Sequence, residues 1–180
     1  MNAIVKIPSP LGVLTIAGDG KHLTGLWMED QKYFAAALDS GAEEKALPLF
    51  EDVSRWLSLY FQGTQPDFSP PLAPSGSPFR RAVLEKLCAI PYGEVTTYGA
   101  IARQLEQETG KHVSARAVGG AVGHNPISLL IPCHRVVGRN GSLTGYAGGL
   151  QRKRFLLALE QIPMDEKETR VDLRALETRG

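Results

Sequence analysis

Cysteine is scarce in this chain: Cys88 and Cys133 are the only two among 180 residues, and neither has Cys or His partners at ligand spacing. That excludes a disulfide framework and a zinc signature. No metal and no cofactor is expected. Free thiols suit a reducing compartment, so the expected location is cytoplasmic, at the nucleoid in a prokaryote. No run approaches the ~20 apolar residues needed to span a bilayer. The N-terminus has no charged segment followed by a long apolar run, so no signal peptide is expected. Net charge is nearly absent too, at +1, but it is unevenly spread. Pro78–Arg154 holds 11 Lys/Arg against 4 Asp/Glu, and the rest of the chain holds 9 against 15. A basic stretch inside a near-neutral protein suggests a polyanion-binding face, although an uneven solvated surface explains the same count.

The 43% hydrophobic content supports a real core. The pattern reads as α+β: a small N-terminal β-meander and helix over 1–65, a linker over 66–77, a mostly helical domain over 78–162, and a charged tail over 163–180. Ala3–Ile7, Leu11–Ala17 and Leu23–Met28 are short strand-like runs separated by turn residues. Leu49, Val53, Trp56, Leu57 and Tyr60 fall at helical spacing, with Gly63 as a stop. Prolines stiffen the linker. Ser77-Pro78 resembles a cap followed by proline at the first helical position. Phe79, Val83, Leu87 and Ile90 line one face of that helix, and Cys88 on it reads as a core residue.

Two short helices follow, from Tyr98 to about Gln107 and from Ser114 to about Gly123, capped by Thr96 or Thr97 and by Ser114. They suggest a helix-turn-helix with a long loop, Glu106–Ser114. The second helix carries Gly119, Gly120 and Gly123 in ten residues, a cost that close approach of another surface would explain. That surface is either another helix or a nucleic-acid groove.

Ile131-Pro132-Cys133-His134-Arg135-Val136 is the segment richest in chemistry. Its apolar flanks would bury it, and the His and Arg are placed to hold the sulfur as thiolate, its nucleophilic form. For the pair alone, a structural Cys beside a chance His is the plainer alternative. A last helix carries Phe155, Leu156 and Leu159, the basic run Arg152-Lys153-Arg154, and Glu160 at its end.

Arg116-Ala117-Val118-Gly119-Gly120-Ala121, Asn125-Pro126, the Cys133 hexapeptide and Gly145-Tyr146-Ala147-Gly148-Gly149-Leu150 resemble the O6-alkylguanine-DNA alkyltransferases in order and spacing. The resemblance is strong from about Ser77 to Glu160 and loose before it. It implies DNA repair by irreversible transfer of a methyl or alkyl group from O6 of guanine to Cys133, after base flipping. Acceptance of O4-alkylthymine stays open. It implies that His134 activates Cys133 through a water, that Glu160 orients His134, and that Asn125 braces the preceding turn. Tyr98 would donate a proton or strong hydrogen bond to guanine N3. Arg116 would fill the gap left by the flipped nucleotide. Ser114, Ala115, Ala117, Gly119 and Arg135 would face the DNA, and Val136, Tyr146, Ala147 and Gly148 would line the base pocket. The partner implied is double-stranded DNA carrying O6-alkylguanine, bound by a monomer; cooperative binding along DNA stays open.

The chemistry fits these roles. Attack on a saturated carbon is a displacement and needs no oxyanion hole, and a proton at N3 lets guanine leave neutral. The thioether formed is not hydrolysed, so each molecule acts once. Two other readings compete: a noncatalytic lesion-sensing DNA binder of the same fold, whose members replace the cysteine, and a Cys-His hydrolase, which no motif supports. The chain departs from the family's pattern in its long 106–114 loop, in Ala147 where some members have serine, in lacking the zinc ligands of some eukaryotic members, and in the extension after Pro163.

Overall fold

The structure is a computed structural model and describes residues 2–36, 38 and 40–179. The chain forms two units, residues 1–75 with 126–130, and residues 76–125 with 131–180. Both sheet and helix are present, as the α+β reading requires.

The first unit is a four-stranded sheet ordered β3-β2-β1-β4, with β1 at Ala3–Ser9, β2 at Gly12–Gly18, β3 at Leu23–Met28 and β4 at Glu43–Glu44. β1 and β2 form a hairpin from Ala3 opposite Gly18 to Ser9 opposite Gly12. Gly12 takes φ +98°, a turn conformation open to glycine. Leu14 and Ile16 are fully buried in the inner strand, each removal from water contributing about 1.5–3 kcal/mol. Helix α1, Pro48–Phe61, buries Leu49, Val53, Trp56, Leu57 and Tyr60, the face its spacing predicts. Trp56 and Tyr60 stack with centroids 5.2 Å apart.

The proline-rich linker is not a free spacer. Leu23 N donates to Pro71 O (2.8 Å) and Ala73 N to Leu23 O (2.9 Å), so it docks on the edge strand β3. Leu26 N likewise donates to Pro126 O at 2.9 Å, which draws residues 126–130 into this unit.

The second unit starts with α2, Pro78–Cys88, whose cap Ser77 accepts from Arg80 N. α3, Tyr98–Thr109, is capped by Thr97, and α4, Ala115–Gly123, by Ser114. α3 runs past the expected Gln107 because Gly110, at φ +69°, is the residue able to end it. The connection is therefore shorter than the 106–114 loop expected from sequence. Glu106 Oε1 braces it, accepting from Val113 N at 2.7 Å and facing His112 Nδ1 at 2.7 Å.

Two placements differ from expectation on α2. Cys88 is exposed, since the helix turns it away from Val83, Leu84 and Leu87. Phe79 is 38% exposed and lines an apolar hollow of about 740 Å³ with Ala82, Leu105, Val113 and Ala117. The charged tail docks on this unit and ends in a helix of one turn or so, Leu173–Glu177: Val171 is buried with Val137, Leu143, Leu157 and Ile162. Met164, Val171, Leu173 and Leu176 reach this cluster from a charge-rich segment, so composition alone hides the docking. No helix among the described residues is long and apolar enough to cross a membrane.

Candidate active site

A two-residue parallel pairing builds the site. β5, Thr96–Thr97, pairs with β6, Val136–Val137. The first strand runs straight into α3, whose first residue is Tyr98; the second follows directly on Cys133-His134-Arg135, which forms one 3₁₀ turn. The pairing thus ties Tyr98 and the cysteine turn to one short piece of sheet. Asn125 closes the other side, its Nδ2 donating to Ile131 O at 2.8 Å. These two residues flank the excursion 126–130, in which Leu129 sits at φ +72°, an uncommon conformation for a residue with a side chain.

Cys133 is only 4% exposed. Burial pushes its thiol up from the ordinary value, while hydrogen bonding from Asn125, the Lys153 ammonium and the Tyr146 hydroxyl pull it down. His134 is fully buried, with Nε2 2.5 Å from Glu160 Oε2. Burial pushes His134 down and Glu160 pushes it up, the burial effect being larger. The neutral ring therefore donates Nε2–H to the carboxylate, which leaves Nδ1 as the basic nitrogen. Glu160, next after the last residue of α5 (Leu150–Leu159), also accepts from Arg135 Nε at 2.8 Å and Gly93 N at 3.0 Å. A buried carboxylate needs such partners, since desolvation of an unpaired one costs several kcal/mol.

Arg135 lies elsewhere than its sequence suggests, both as a DNA-facing residue and as a holder of the thiolate. Its buried side chain bonds Glu160 and donates to Ile90 O at 2.7 Å. It neither faces DNA nor holds the sulfur: it neutralises the glutamate behind His134. The cation near the sulfur is Lys153, which the Arg152-Lys153-Arg154 run makes look like surface. Lys153 is fully buried and donates to Val136 O (2.6 Å), Gly145 O (3.3 Å) and Thr144 O (3.5 Å). Burial lowers its pKa to about 8, and Cys133 opposes that shift. Phe155, its apolar neighbour, is 40% exposed instead. Helical phase decides this exchange, and a basic triplet in sequence gives no phase of its own.

Tyr98 Oη donates to Thr144 O at 3.2 Å. Burial, and then the charge of Cys133, push its pKa up to about 12, so the phenol stays protonated. Val136 is buried, and Tyr146, Ala147 and Gly148 are half-buried beside the cysteine turn. Tyr146 rises well above the ordinary tyrosine value through burial and the nearby sulfur. The site thus gathers Asn125, Tyr98, Tyr146 and Lys153 around the Cys133 sulfur, with the His134–Glu160 pair beside it on the same turn. Among the described residues, no group of three or more His, Cys, Asp or Glu side chains is placed to hold a metal ion.

On α4, Ser114, Ala115, Arg116, Ala117 and Gly120 are exposed, while Val118, Ala121 and Val122 face the core. A Cβ added at Gly120 or Gly123 would meet nothing within 4 Å, and at Gly119 it would touch the Tyr98 ring at an ordinary 3.8 Å. Packing within this chain therefore does not require the glycines.

Residues 78–162 match the family described as 6-O-methylguanine DNA methyltransferase, DNA binding domain, and residues 5–74 match its ribonuclease-like domain. The chain belongs to this family. It is 44% identical over 163 residues to a methylated-DNA–protein-cysteine methyltransferase of Haemophilus influenzae, covering 90% of this chain and 88% of that protein. To the protein of that name from Mycolicibacterium paratuberculosis it is 46% identical over 155 residues, covering 86% and 90%. The crystal structure of Mycobacterium tuberculosis OGT in complex with DNA superposes with a TM-score of 0.78 at 42% identity, covering 88% of this chain and 92% of that one. Family membership makes the chain a DNA-repair protein that moves an alkyl group to its own cysteine, with DNA as its partner.

Proposed function

We propose that the chain removes the alkyl group from O6 of guanine in duplex DNA and keeps it on Cys133. The single observation that carries this reading is the buried Cys133 turn with His134 locked onto Glu160 at 2.5 Å. His134 Nδ1 takes the thiol proton, relayed through a water. The sulfur attacks the alkyl carbon; the S–C bond forms as the C–O6 bond breaks, and O6 keeps the electron pair. Tyr98 supplies a hydrogen bond or proton at guanine N3. Its raised pKa favours a donor that stays protonated until charge develops on the base. Alkylation also removes the sulfur charge that helps raise Tyr98.

DNA is met by the exposed start of α4. Arg116 fills the gap left by the rotated nucleotide, recovering part of a flipping cost of a few kcal/mol. The unoccupied space over Gly120 and Gly123 supports close approach of a groove wall. Val136, Tyr146, Ala147 and Gly148 receive the base. The acceptor must stay a free thiol, which fits the cytoplasm. The protein acts as a monomer, one molecule per lesion.

The test mixes the protein with duplex carrying O6-methylguanine. Mass spectrometry is expected to find one methylene's mass added to the peptide bearing Cys133, one equivalent and no more. Cys133→Ala abolishes the adduct and keeps DNA binding. Repeated turnover, or binding without any adduct, would refute the reading.

A further inference from the structure

The family match ends at residue 162, yet the chain beyond it is built into the site's neighbourhood. Met164 and Val171 pair antiparallel. Asp165 closes this hairpin: its carboxylate accepts from Thr169 N (2.7 Å), Thr169 Oγ1 (2.8 Å) and Arg170 N (3.1 Å). The returning strand then pairs with the loop that follows β6. Leu143 N donates to Thr169 O (3.0 Å) and Val171 N to Gly141 O (2.8 Å), with Ser142 opposite Arg170. At Gly141, φ +80°, an added Cβ would lie 2.3 Å from Val171 O, so the two backbones touch directly.

The next residues of that loop are those that frame the sulfur. Thr144 O accepts from Tyr98 and Lys153, Gly145 O accepts from Lys153, and Tyr146 reaches Cys133. The loop is held from within by Tyr98 and Lys153 and from without by the hairpin. Val171, 1% exposed, fixes the outer hold in the apolar cluster, and Leu173 and Leu176 of the short helix α6, Leu173–Glu177, pack over it.

We infer that the C-terminal hairpin is a strap whose Val171–Gly141 pairing positions the pocket loop Thr144–Gly148 for transfer. This rests on Cys133 being the alkyl acceptor. Val171 and Gly141 touch neither base nor sulfur; they are positioning residues. Without the strap the loop keeps its inner anchors but loses its register, and the pocket misplaces the alkyl carbon by a fraction of an ångström to an ångström. Such misplacement slows chemistry while leaving encounter with DNA, which belongs to α4, unchanged.

The test uses full-length protein in two variants. Val171→Pro deletes the N–H that bonds Gly141, and Asp165→Ala loosens the hairpin from its exposed end without touching the core. Val171→Ile keeps the N–H and serves as rescue. At saturating O6-methylguanine duplex, the single-turnover rate constant is expected to fall about ten- to hundredfold in Val171→Pro and less in Asp165→Ala. The half-saturating DNA concentration should stay within about twofold, since no α4 residue is altered. Iodoacetamide should label Cys133 faster in both variants, and Val171→Ile should behave as wild type. Folded variants with unchanged rate constants and unchanged labelling would overturn the strap. So would a rate loss matched by an equal loss of DNA affinity. Should wild type itself form no adduct, the acceptor reading fails instead, and the labelling ratio alone then decides for or against the strap.

Discussion

Behind Cys133 the charged and hydrogen-bonding side chains are buried and bonded inward, with Tyr98 and Tyr146 half-buried at the pocket; on α4 the residues offered to DNA stand in solvent. His134, Glu160, Arg135 and Lys153 are all under 9% exposed, whereas Ser114, Ala115, Arg116 and Ala117 are all exposed. The two regions spend physical chemistry differently. In the buried cluster each charge is kept by its partner, so reactivity and stability rest on the same bonds. On α4 the core face holds the helix and the outer face is free to serve DNA. Changes in the first region should therefore damage fold and reaction together, and changes in the second should separate them.

Glu160→Gln presses hardest on that contrast. It keeps the shape but leaves the buried Arg135 without its counter-charge, and breaking one side of a buried pair costs about 3–5 kcal/mol. For a chain this size the melting temperature should fall by on the order of 10 °C. Transfer should drop by about ten- to a hundredfold, because the one remaining oxygen is held by Arg135 Nε and Gly93 N, and the amide NH2 then faces His134 in place of the anionic acceptor that sets its tautomer. Calorimetry and the adduct assay read both. A variant as stable as wild type with a slow reaction would show the two properties to be separable here as well.

Lys153→Met is next. It removes the cation that acts on the sulfur and takes the ammonium donor from the Val136 and Gly145 carbonyls, while Thr144 O keeps its bond from Tyr98. Transfer should slow by about tenfold or more, as when a charge-stabilising contact of ~1.4 kcal/mol is lost. The pH midpoint of Cys133 carboxymethylation should move upward, since Lys153 pulls the thiol down in the native protein. Stability adds a second sign. The folded lysine titrates at about 8 and the ordinary value is 10.5, so the unfolded chain holds the extra proton between them. Wild type should gain stability relative to Lys153→Met as pH rises through that window. A midpoint that does not move would take Lys153 out of the sulfur's electrostatics.

Arg116→Ala tests the open side. Repair of duplex DNA should fall by roughly tenfold, a loss of one side chain's share of the flipping cost. Reaction with free O6-benzylguanine should be unchanged. Melting should stay within about 0.5 kcal/mol of wild type, as for surface substitutions generally. Equal losses on both substrates would contradict the gap-filling role of Arg116.

The contrast also explains what the sequence could reveal. Strands β1–β3, helix α1 and the caps Ser77, Thr97 and Ser114 follow from period and from local side-chain chemistry, and all stand where those signals put them. The cysteine hexapeptide and Glu160 were legible because several motifs kept their spacing. Arg135 and Lys153 were not, because burial of a charge depends on partners far along the chain: Ile90 and Glu160 for one, Val136 and Gly145 for the other. Cys88 misled for a related reason, since an apolar helix face is set by what packs on it. The tail hid its docking for the same cause, with Val171 answering to Gly141 thirty residues earlier.

The finest test lies in a single methyl group. Gly120 is helical and exposed, and an added Cβ would meet nothing within 4 Å. Gly120→Ala should therefore stabilise α4 by about 1 kcal/mol through helix propensity alone, raising the melting temperature by roughly 2–4 °C. The same methyl would stand on the face offered to DNA. If the glycine is there to let a groove wall approach, duplex binding should weaken by a fewfold while reaction with free base analogue is unchanged. Two readings of the glycine run part in opposite directions here. Were another helix of this chain its reason, the substitution would lower stability. Were it solvated by accident, stability would rise and DNA affinity would hold. Only a groove predicts a protein that melts higher and binds DNA less well.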